Sequence, residues 1–521
     1  MLVKSFLRTS YLTTLSNRKG IEQVPFRTFI DLKLIQMGKN IVLTAFLACI
    51  FLCNFFMERV LQMDDRISKD TLGEVHIPRS VYYDAQTTRA IHNFPISGLR
   101  LPRAFIKAQG IIKASAAVAN REVDNLPEHI ARAIVTAAEE VINGKWDDQF
   151  VVDAYQAGAG TSQNMNANEV IANRAIELLG GVKGDFSLVH PNDHVNMAQS
   201  TNDTIHVAIN ISAVEMIKKE LLPSLQRLQY TLKQKAKQFH PIIKSGRTHL
   251  QDAVPIRLGQ EFGGYAAALV SAEKSIRHAL LELYVIGIGG NAVGTGINAH
   301  PEYTERTLRE IILRTDQPFK QPRDRFAFMQ NTMGAIQASH AVKELAIHLL
   351  KISSDLRLLG SGPRTGLGEL ILPAVQPGSS IMPGKVNPVM AEMMYMVCAQ
   401  VIGNDATITA ATMGAQLEVN VMMPVIAYNL LHSIHILTNA MEVFREKCID
   451  GLQADAERCQ YYVEQSTALA TSLNPVIGYE KAAKIAKTAY QEKKTVREIV
   501  ARDTDLTQAE ISELLNPDRL V

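Results

Sequence analysis

Cysteine, aromatic residues and net charge are all scarce in this 521-residue sequence, and each shortage argues against a class of protein. The five cysteines form no CxxC pair and no metal-ligand spacing, so neither a disulfide framework nor a zinc centre is expected. Aromatic residues make up only 6% of a chain rich in Ala, Leu, Ile and Met, which favours helices over sheets. A formal net charge of +2 gives no reason to expect a nucleic-acid partner.

Long apolar runs are also scarce, apart from the charge-free stretch Ile41–Phe56. This stretch is shorter than the roughly 20 apolar residues of a membrane-spanning helix. The segment before it, Met1–Lys19, is basic and acid-free and loosely resembles a transit peptide. Residues 1–62 are therefore interpreted as an N-terminal extension with three readings: a targeting or membrane segment, a disordered tail, or sequence upstream of a true start at Met57 or Met63. We favour the last reading and expect a cytoplasmic protein, with stretch 41–56 leaving membrane or organelle targeting open.

The remaining chain predicts a soluble, mainly helical protein large enough for more than one domain. After Asp203, apolar residues recur at helical spacing over very long segments with few helix breakers. These segments are Thr204–Phe239, Ile256–Ile286, Arg325–Leu359 and Val389–Leu452. Helices of this length are expected to form a bundle that continues into other subunits. Pro223 and Pro424 are expected to bend or interrupt it.

Four short polar segments lie around these helices, and they contain the candidate chemistry. The segments are Gly158–Asn168, Gln199–Asp203, Gly246–Asp252 and Pro377–Pro388. They contribute hydroxyls, amides, one imidazole and one ammonium: Thr161, Ser162, Ser200, Thr201, Asn202, Thr248, His249, Ser379, Ser380, Lys385 and Asn387. Helix capping explains QSTND or GRTH taken singly. It does not explain a lysine and an asparagine beside two serines in a loop rich in proline and glycine, so we interpret the set as an anion site.

Two other patterns predict structure rather than chemistry. Gly287–Asn298 contains the loose dinucleotide pattern G-x-G-x-x-A, but a long helix precedes it and no βαβ unit surrounds it. We therefore interpret it as a loop that packs closely at a helix end. His432 and His435 lie three residues apart on an apolar helix without a third ligand, which favours core or interface histidines over metal ligands. No metal site is predicted.

From about Glu74 to its end, the sequence resembles the fumarase/aspartase superfamily. The resemblance is carried, in the family's order, by GAGTSQNMNANEVIANRAIELLG, HVNMAQSTND, GRTHLQDAVPIRLGQEF, SSDLRLLGSGPRTGL, GSSIMPGKVNPVMAE and QVIGND. It implies a mainly α, three-domain fold whose central long-helix bundle forms the multi-helix core of a homotetramer with shared active sites. The implied domains are an N-terminal lyase domain, 63–201, a central bundle, 202–456, and a small helical C-terminal domain, 457–521.

Within the superfamily, the motifs resemble those of the aspartases more than those of the fumarases. GAGTSxNMNANEV, QSTND, AVPIRLGQEF and NPVMAE are aspartase-like, whereas GGNAVGTG is somewhat fumarase-like. Two departures from the family pattern are the stretch Thr204–Val207 after QSTND and Asp84 at a position where glycine is usual. The resemblance implies reversible anti-elimination of ammonia from L-aspartate to give fumarate, without a cofactor. The alternatives are fumarate hydration to L-malate and, more remotely, a non-catalytic binding or structural role.

The resemblance also implies a role for each candidate site residue. The β-carboxylate of a small dicarboxylate substrate is gripped by hydroxyls, namely Thr161, Ser200, Thr201 and Ser380. The other substrate contacts are Lys385, Asn387 and Thr248 at the α-carboxylate, and Asn202 and His249 at the amino group, with Glu392 orienting His249. By resemblance Ser379 is the base, whereas the residues alone favour His249 as a general base. A serine base needs an oxyanion-stabilising setting, which Lys385 and backbone N–H groups of the loop can supply.

Overall fold

The computed structural model describes residues 65–521, so the predictions made for the extension 1–62, including Ile41–Phe56, lie outside the described residues. Helices dominate the described part of the chain, which confirms the mainly α prediction. The α-helices of this part are α1 Ala85–Asn93, α2 Arg103–Glu122, α3 Glu128–Ile142, α4 Thr161–Leu178, α5 Thr201–Met216, α6 Leu222–Gln238, α7 Leu258–Leu283, α8 Tyr303–Thr315, α9 Arg325–Gln330, α10 Met333–Leu359, α11 Val389–Thr412, α12 Met423–Phe444, α13 Ala456–Gln465, α14 Asn474–Ile477, α15 Tyr479–Glu492, α16 Val496–Asp503 and α17 Gln508–Leu514.

The strands of the described residues are short. They are β1 Asp65–Asp70, β2 Gly73–Pro78, β3 Ile243–Thr248, β4 Gln251–Arg257, β5 Leu370–Ile371, β6 Ala415–Gln416, β7 Val419–Asn420 and β8 Gln453–Ala454. The pairs β3–β4, β5–β8 and β6–β7 are antiparallel. Ser68–Val75 and Val81–Val521 form one structural unit, which contains every feature described below, and the described residues 65–67 and His76–Ser80 belong to another.

The long helices pack side by side around one large apolar core. Helix α10 contacts α7, α11 and α12, while α6 packs on α7 and α5 packs on α12. The expected apolar stripe on α10 is buried, with Leu345, Leu349 and Leu356 fully inaccessible to solvent. None of the helices between residues 65 and 521 combines the length and the apolar character needed to cross a bilayer.

Both prolines mark interruptions of the long helices, although the second break is larger than expected. A π-helical turn, Ile217–Leu221, precedes Pro223, which lacks an amide hydrogen and whose ring clashes with the carbonyl four residues back. The expected interruption of Val389–Leu452 near Pro424 is a complete break, in which residues 413–422 form a turn with β6 and β7 between α11 and α12. The Asn420 amide donates to the carbonyl oxygens of Ala411 and Thr412, at 3.1 and 3.3 Å, and so satisfies the end of α11.

Two smaller apolar cores are formed mainly by helices that come before and after the bundle in the sequence. Helices α2, α3 and α4 share one core, which includes Ile134 and Ile171. Helices α13, α15, α16 and α17 share another, to which Ile243 of β3 also belongs. Strand β3 is thereby packed against the C-terminal helices. The domain boundaries 63–201, 202–456 and 457–521 stay a prediction.

Candidate active site

The first candidate residue, Thr161, begins helix α4. Gly160, immediately before it, adopts a left-handed conformation with φ of 88°, which glycine accommodates without strain. A β-carbon on Gly160 would lie 2.9 Å from Cγ1 of Ile205, so the helix start is also in close contact with α5. Thr161 itself is exposed. The glycine-containing segment before α4 therefore places the Thr161 hydroxyl at a helix N-terminus, where backbone N–H groups attract anions.

QSTND begins helix α5, and its residues do cap that helix. The Ser200 hydroxyl accepts a hydrogen bond from the Asn202 N–H at 3.2 Å, and the Asp203 carboxylate accepts one from the Ser200 N–H at 2.9 Å. This is a capping box, so the capping interpretation of QSTND is confirmed. Capping does not use Thr201, which is the first residue of the helix and nearly buried.

A buried lysine joins the starts of α4 and α5. The Lys113 ammonium, fully inaccessible to solvent, donates to side-chain oxygens of Asn164, Asn196 and Gln199 at 2.8, 3.0 and 2.9 Å. The Asn164 amide in turn donates to the Thr201 hydroxyl at 3.2 Å. Burial lowers the pKa of Lys113 to about 7. Sequence reasoning missed this residue, although a lone cation inside the apolar helix GIIKASAAVAN was an available signal.

The second oxygen of Asp203 fastens the glycine-rich loop Gly287–Asn298 to the start of α5. It accepts hydrogen bonds from the N–H groups of Gly289 and Asn291 at 3.0 and 2.9 Å. Burial raises the pKa of Asp203 to about 6. The Asn202 amide donates to the Ala292 carbonyl oxygen of the same loop at 2.8 Å, which fixes the orientation of that amide. The segment is thus a loop after helix α7, as expected, and not a dinucleotide-binding turn.

Thr248 and His249 lie at the tip of the β3–β4 hairpin. Thr248 pairs with Gln251, and the two residues between them, His249 and Leu250, have φ of 53° and 57°. Two consecutive left-handed residues form the tight turn that suits two-residue hairpins. The capping interpretation of GRTH was wrong, because this segment ends a strand and no helix starts there. His249 is exposed at the tip.

Ser379 and Lys385 belong to an irregular loop held by its own backbone, as the prolines and glycines predicted. Gly378 N–H donates to the Lys385 carbonyl oxygen at 2.8 Å, and the Asn387 amide donates to the Gly378 carbonyl oxygen at 2.7 Å. A β-carbon on Gly378 would lie 2.4 Å from that Lys385 oxygen, so the close approach requires glycine. The Ser379 Oγ accepts from the N–H groups of Ile381 and Met382 at 3.2 and 3.0 Å. Two backbone donors therefore point at this oxygen.

The candidate residues form three groups in one chain. They are Thr161, Ser200, Thr201 and Asn202 at the starts of α4 and α5; Thr248 and His249 on the hairpin; and Ser379, Ser380, Lys385 and Asn387 in the loop, followed by Glu392 in the first turn of α11. Within residues 65–521, no hydrogen bond or ion pair joins one group to another. No cluster of three or more His, Cys, Asp or Glu in this part of the chain is arranged to hold a metal ion. Convergence of the groups between subunits stays a prediction.

Comparisons with known proteins agree on one family. Residues 73–403 match the family described as Lyase, and residues 469–521 match the family described as Fumarase C C-terminus. An aspartate ammonia-lyase from a Bacillus species is 49% identical over 457 residues, which cover 88% of this chain and 97% of that protein. A class II fumarate hydratase from Thermosynechococcus vestitus is 48% identical, with coverage of 86% and 96%. The crystal structure of a fumarate lyase:delta crystallin from Brucella melitensis bound to cobalt is 44% identical with a TM-score of 0.84, covering 87% of this chain and 99% of that one.

Proposed function

We propose that this chain, which belongs to the lyase family of aspartate ammonia-lyases and class II fumarate hydratases, catalyses the reversible elimination of ammonia from L-aspartate to give fumarate. Identities of 49% and 48% to the two kinds of enzyme are nearly equal. The choice of ammonia as leaving group therefore depends on the aspartase-like motifs QSTND, AVPIRLGQEF and NPVMAE. The elimination itself is supported above all by the Ser379 hydroxyl, at which two backbone N–H groups point.

The difficult step of this reaction is removal of a proton from Cβ. That carbon lies beside a carboxylate, so the electron pair of the broken C–H bond moves onto a group that is already negative. The resulting aci-carboxylate dianion then expels ammonia from Cα, which forms the double bond of fumarate. Catalysis therefore depends on donors aimed at the oxygens where the second negative charge develops.

Ser379 acts in this scheme as the base that takes the Cβ proton. A serine hydroxyl is a weak base unless its deprotonated form is stabilised. The N–H groups of Ile381 and Met382, 3.2 and 3.0 Å from Oγ, provide that stabilisation. Lys385 in the same loop supplies a positive charge.

The remaining residues bind the two carboxylates and the amino group. The β-carboxylate and its dianion bind hydroxyls that rotate their O–H bonds toward the charge, namely Thr161, Ser200, Thr201 and Ser380. The other contacts are Lys385, Asn387 and Thr248 at the α-carboxylate, and Asn202 with His249, oriented by Glu392, at the amino group. This assignment needs a homotetramer in which each active site takes its groups from different subunits. The scheme uses no cofactor.

The substrate assay separates this function from its nearest rival. Purified protein is supplied with L-aspartate and L-malate separately, and fumarate is followed by its ultraviolet absorbance. We expect fumarate from aspartate, with release of ammonia, and little or none from malate. The rival is fumarate hydratase, which the fumarase-like stretch GGNAVGTG and the 48% identity favour. Turnover of malate alone would replace our proposal with that one.

A further inference from the structure

We propose that Glu369 is a positioning residue, which holds the Thr248–His249 hairpin in a fixed position relative to the segment that leads into the Ser379 loop. This inference rests on the proposed function, because it takes His249 as the residue that faces the leaving group. Glu369 is not one of the candidate substrate contacts, and it lies ten residues before Ser379 in the sequence.

Glu369 is the centre of a buried ion cluster at the base of the hairpin. Its side chain is fully inaccessible to solvent, and that of Lys244 is 2% exposed. One carboxylate oxygen lies 2.9 Å from Nη2 of Arg247, and the other lies 3.4 Å from Nζ of Lys244. Lys244 also lies 3.5 Å from Glu261, in the first turn of α7. Two basic and two acidic side chains thus face one another at this site.

An irregularity in β3 explains how both cations reach the same carboxylate. Residues three apart on a regular strand point to opposite faces of the sheet. The β3–β4 register shifts between Ser245 and Arg247, at Gly246. A β-carbon on Gly246 would lie 2.6 Å from the Val254 carbonyl oxygen, so the shift needs glycine. Such an irregularity turns a side chain toward a new direction, and here it brings Arg247 and Lys244 together on Glu369.

The backbone of Glu369 is fixed by two other elements of the fold. Its N–H donates to the Leu359 carbonyl oxygen at the end of α10, at 2.9 Å, and its carbonyl oxygen accepts from the Asp455 N–H at 3.0 Å. Asp455 caps helix α13. Strand β5 begins at the residue after Glu369 and pairs with β8. The carboxylate is therefore a rigid reference point to which the hairpin is attached.

Helix α13, the first helix of the C-terminal core, completes this junction. The Arg247 guanidinium lies 5.4 Å from the centre of the Tyr462 ring. The Tyr462 hydroxyl donates to the Gly366 carbonyl oxygen at 3.2 Å, and Arg458 donates to the Leu367 carbonyl oxygen at 3.0 Å. The hairpin, the segment 366–371 and α13 therefore meet at the same cluster.

The position of the hairpin tip depends on this cluster because a two-stranded hairpin has little stability of its own. Arg247 directly precedes Thr248, so a displacement of its guanidinium is transmitted to Thr248 and His249. Displacements of about 1 Å in a catalytic group can lower rates by about a hundredfold. Glu369 would thus act on catalysis through the geometry of the hairpin, without touching the substrate.

The test compares Glu369→Gln with Glu261→Gln in the purified full-length protein. Glu261→Gln is the matched control, because it removes a carboxylate that contacts Lys244 but not Arg247. For Glu369→Gln we expect kcat/KM for L-aspartate to fall by about tenfold to a hundredfold, while the inhibition constant of succinate rises by a smaller factor, less than about fivefold, because succinate keeps the carboxylate assigned to Thr248 but lacks the amino group assigned to His249. For Glu261→Gln we expect changes of less than about threefold in both quantities.

A second variant covers the case in which Glu369→Gln does not fold, since removing a buried carboxylate leaves two cations facing the single carboxyl group of Glu261. Arg247→Lys keeps the charge but loses the guanidinium contact, and we expect the same split between aspartate turnover and succinate inhibition. Partial recovery of kcat/KM in Glu369→Asp would support the role further. Equal losses in turnover and succinate affinity in the folded variants, or no loss in either, would overturn the inference. If malate proves to be the substrate, the same ratio is measured with malate, so the two proposals fail on different measurements.

Discussion

Two regions that carry candidate residues are held in opposite ways. The starts of α4 and α5 are fixed by the side chains of Lys113 and Asp203, which are fully inaccessible to solvent and hydrogen-bond to other elements of the fold. The loop Gly378–Asn387 is largely exposed, and the hydrogen bonds described for it lie within the loop itself.

This difference fits the two tasks proposed for these regions, carboxylate binding and proton abstraction. A carboxylate site should be rigid, because donors already in place need no rearrangement as charge develops. A loop that carries the base has to admit the substrate and then exclude water, so fewer contacts with the rest of the chain suit it. We therefore expect substitutions in the two regions to separate activity from stability.

The largest effect on activity is expected from Ser379→Ala. Removal of a general base lowers the rate by about 10²–10⁴-fold. Stability should stay within about 0.5 kcal/mol, because the hydrogen bonds of the Ser379 side chain lie within its own loop. Turnover of aspartate, urea unfolding and native mass are measured together, with His249→Gln as the reciprocal variant. Near-normal activity in Ser379→Ala and loss in His249→Gln would return the role of base to His249.

Lys113→Met should instead lose stability together with activity. It removes the ammonium donor from the amide oxygens of Asn164, Asn196 and Gln199 and leaves the buried Asp203 without a neighbouring cation, which we expect to lower the free energy of unfolding by about 3–5 kcal/mol. The control is Lys107→Met on the same helix, where a half-exposed pair with Glu215 is lost, with an expected change of about 1 kcal/mol or less. Similar urea midpoints for the two variants would contradict the structural role of Lys113.

The smallest effect is a pH dependence of stability from His206 on α5. Burial lowers the pKa of His206 from 6.5 to about 3, and its ring packs edge-on against Phe328 with centroids 4.7 Å apart. Below pH 6.5 the unfolded chain binds a proton here and the folded chain does not, so stability falls as the pH falls from about 6.5 toward 3.

Comparison of His206→Gln with the parent isolates this contribution. Between about pH 7.5 and 5.5 the parent should lose about 1.4 kcal/mol more unfolding free energy than His206→Gln does. His129→Gln, at an exposed position on α3, is the matched control and should follow the parent. Parallel pH profiles for the parent and His206→Gln would show that His206 titrates alike in both states.

Much of the helical fold was predictable because its causes are local. The apolar spacing of Leu345, Leu349 and Leu356 depends only on the period of one helix, and the prolines and glycines of Pro377–Pro388 exclude regular structure by themselves. Pro424 predicted an interruption between α11 and α12, but its extent could not be predicted, because it depends on Asn420 satisfying carbonyl groups at a helix end, and this contact is made only once the chain has turned.

The sequence by itself determined the lyase family, the helical class and the residue types of the candidate site, since motif identity and helical periodicity are properties of neighbouring residues. Only the tertiary structure decided that Lys113 supports Thr201 through Asn164, and that Glu369 receives both Arg247 and Lys244. The physical reason is that burial and ion pairing depend on residues distant in sequence. A lysine or glutamate in an apolar segment therefore acquires its partner, and its altered electrostatics, only when the elements pack together.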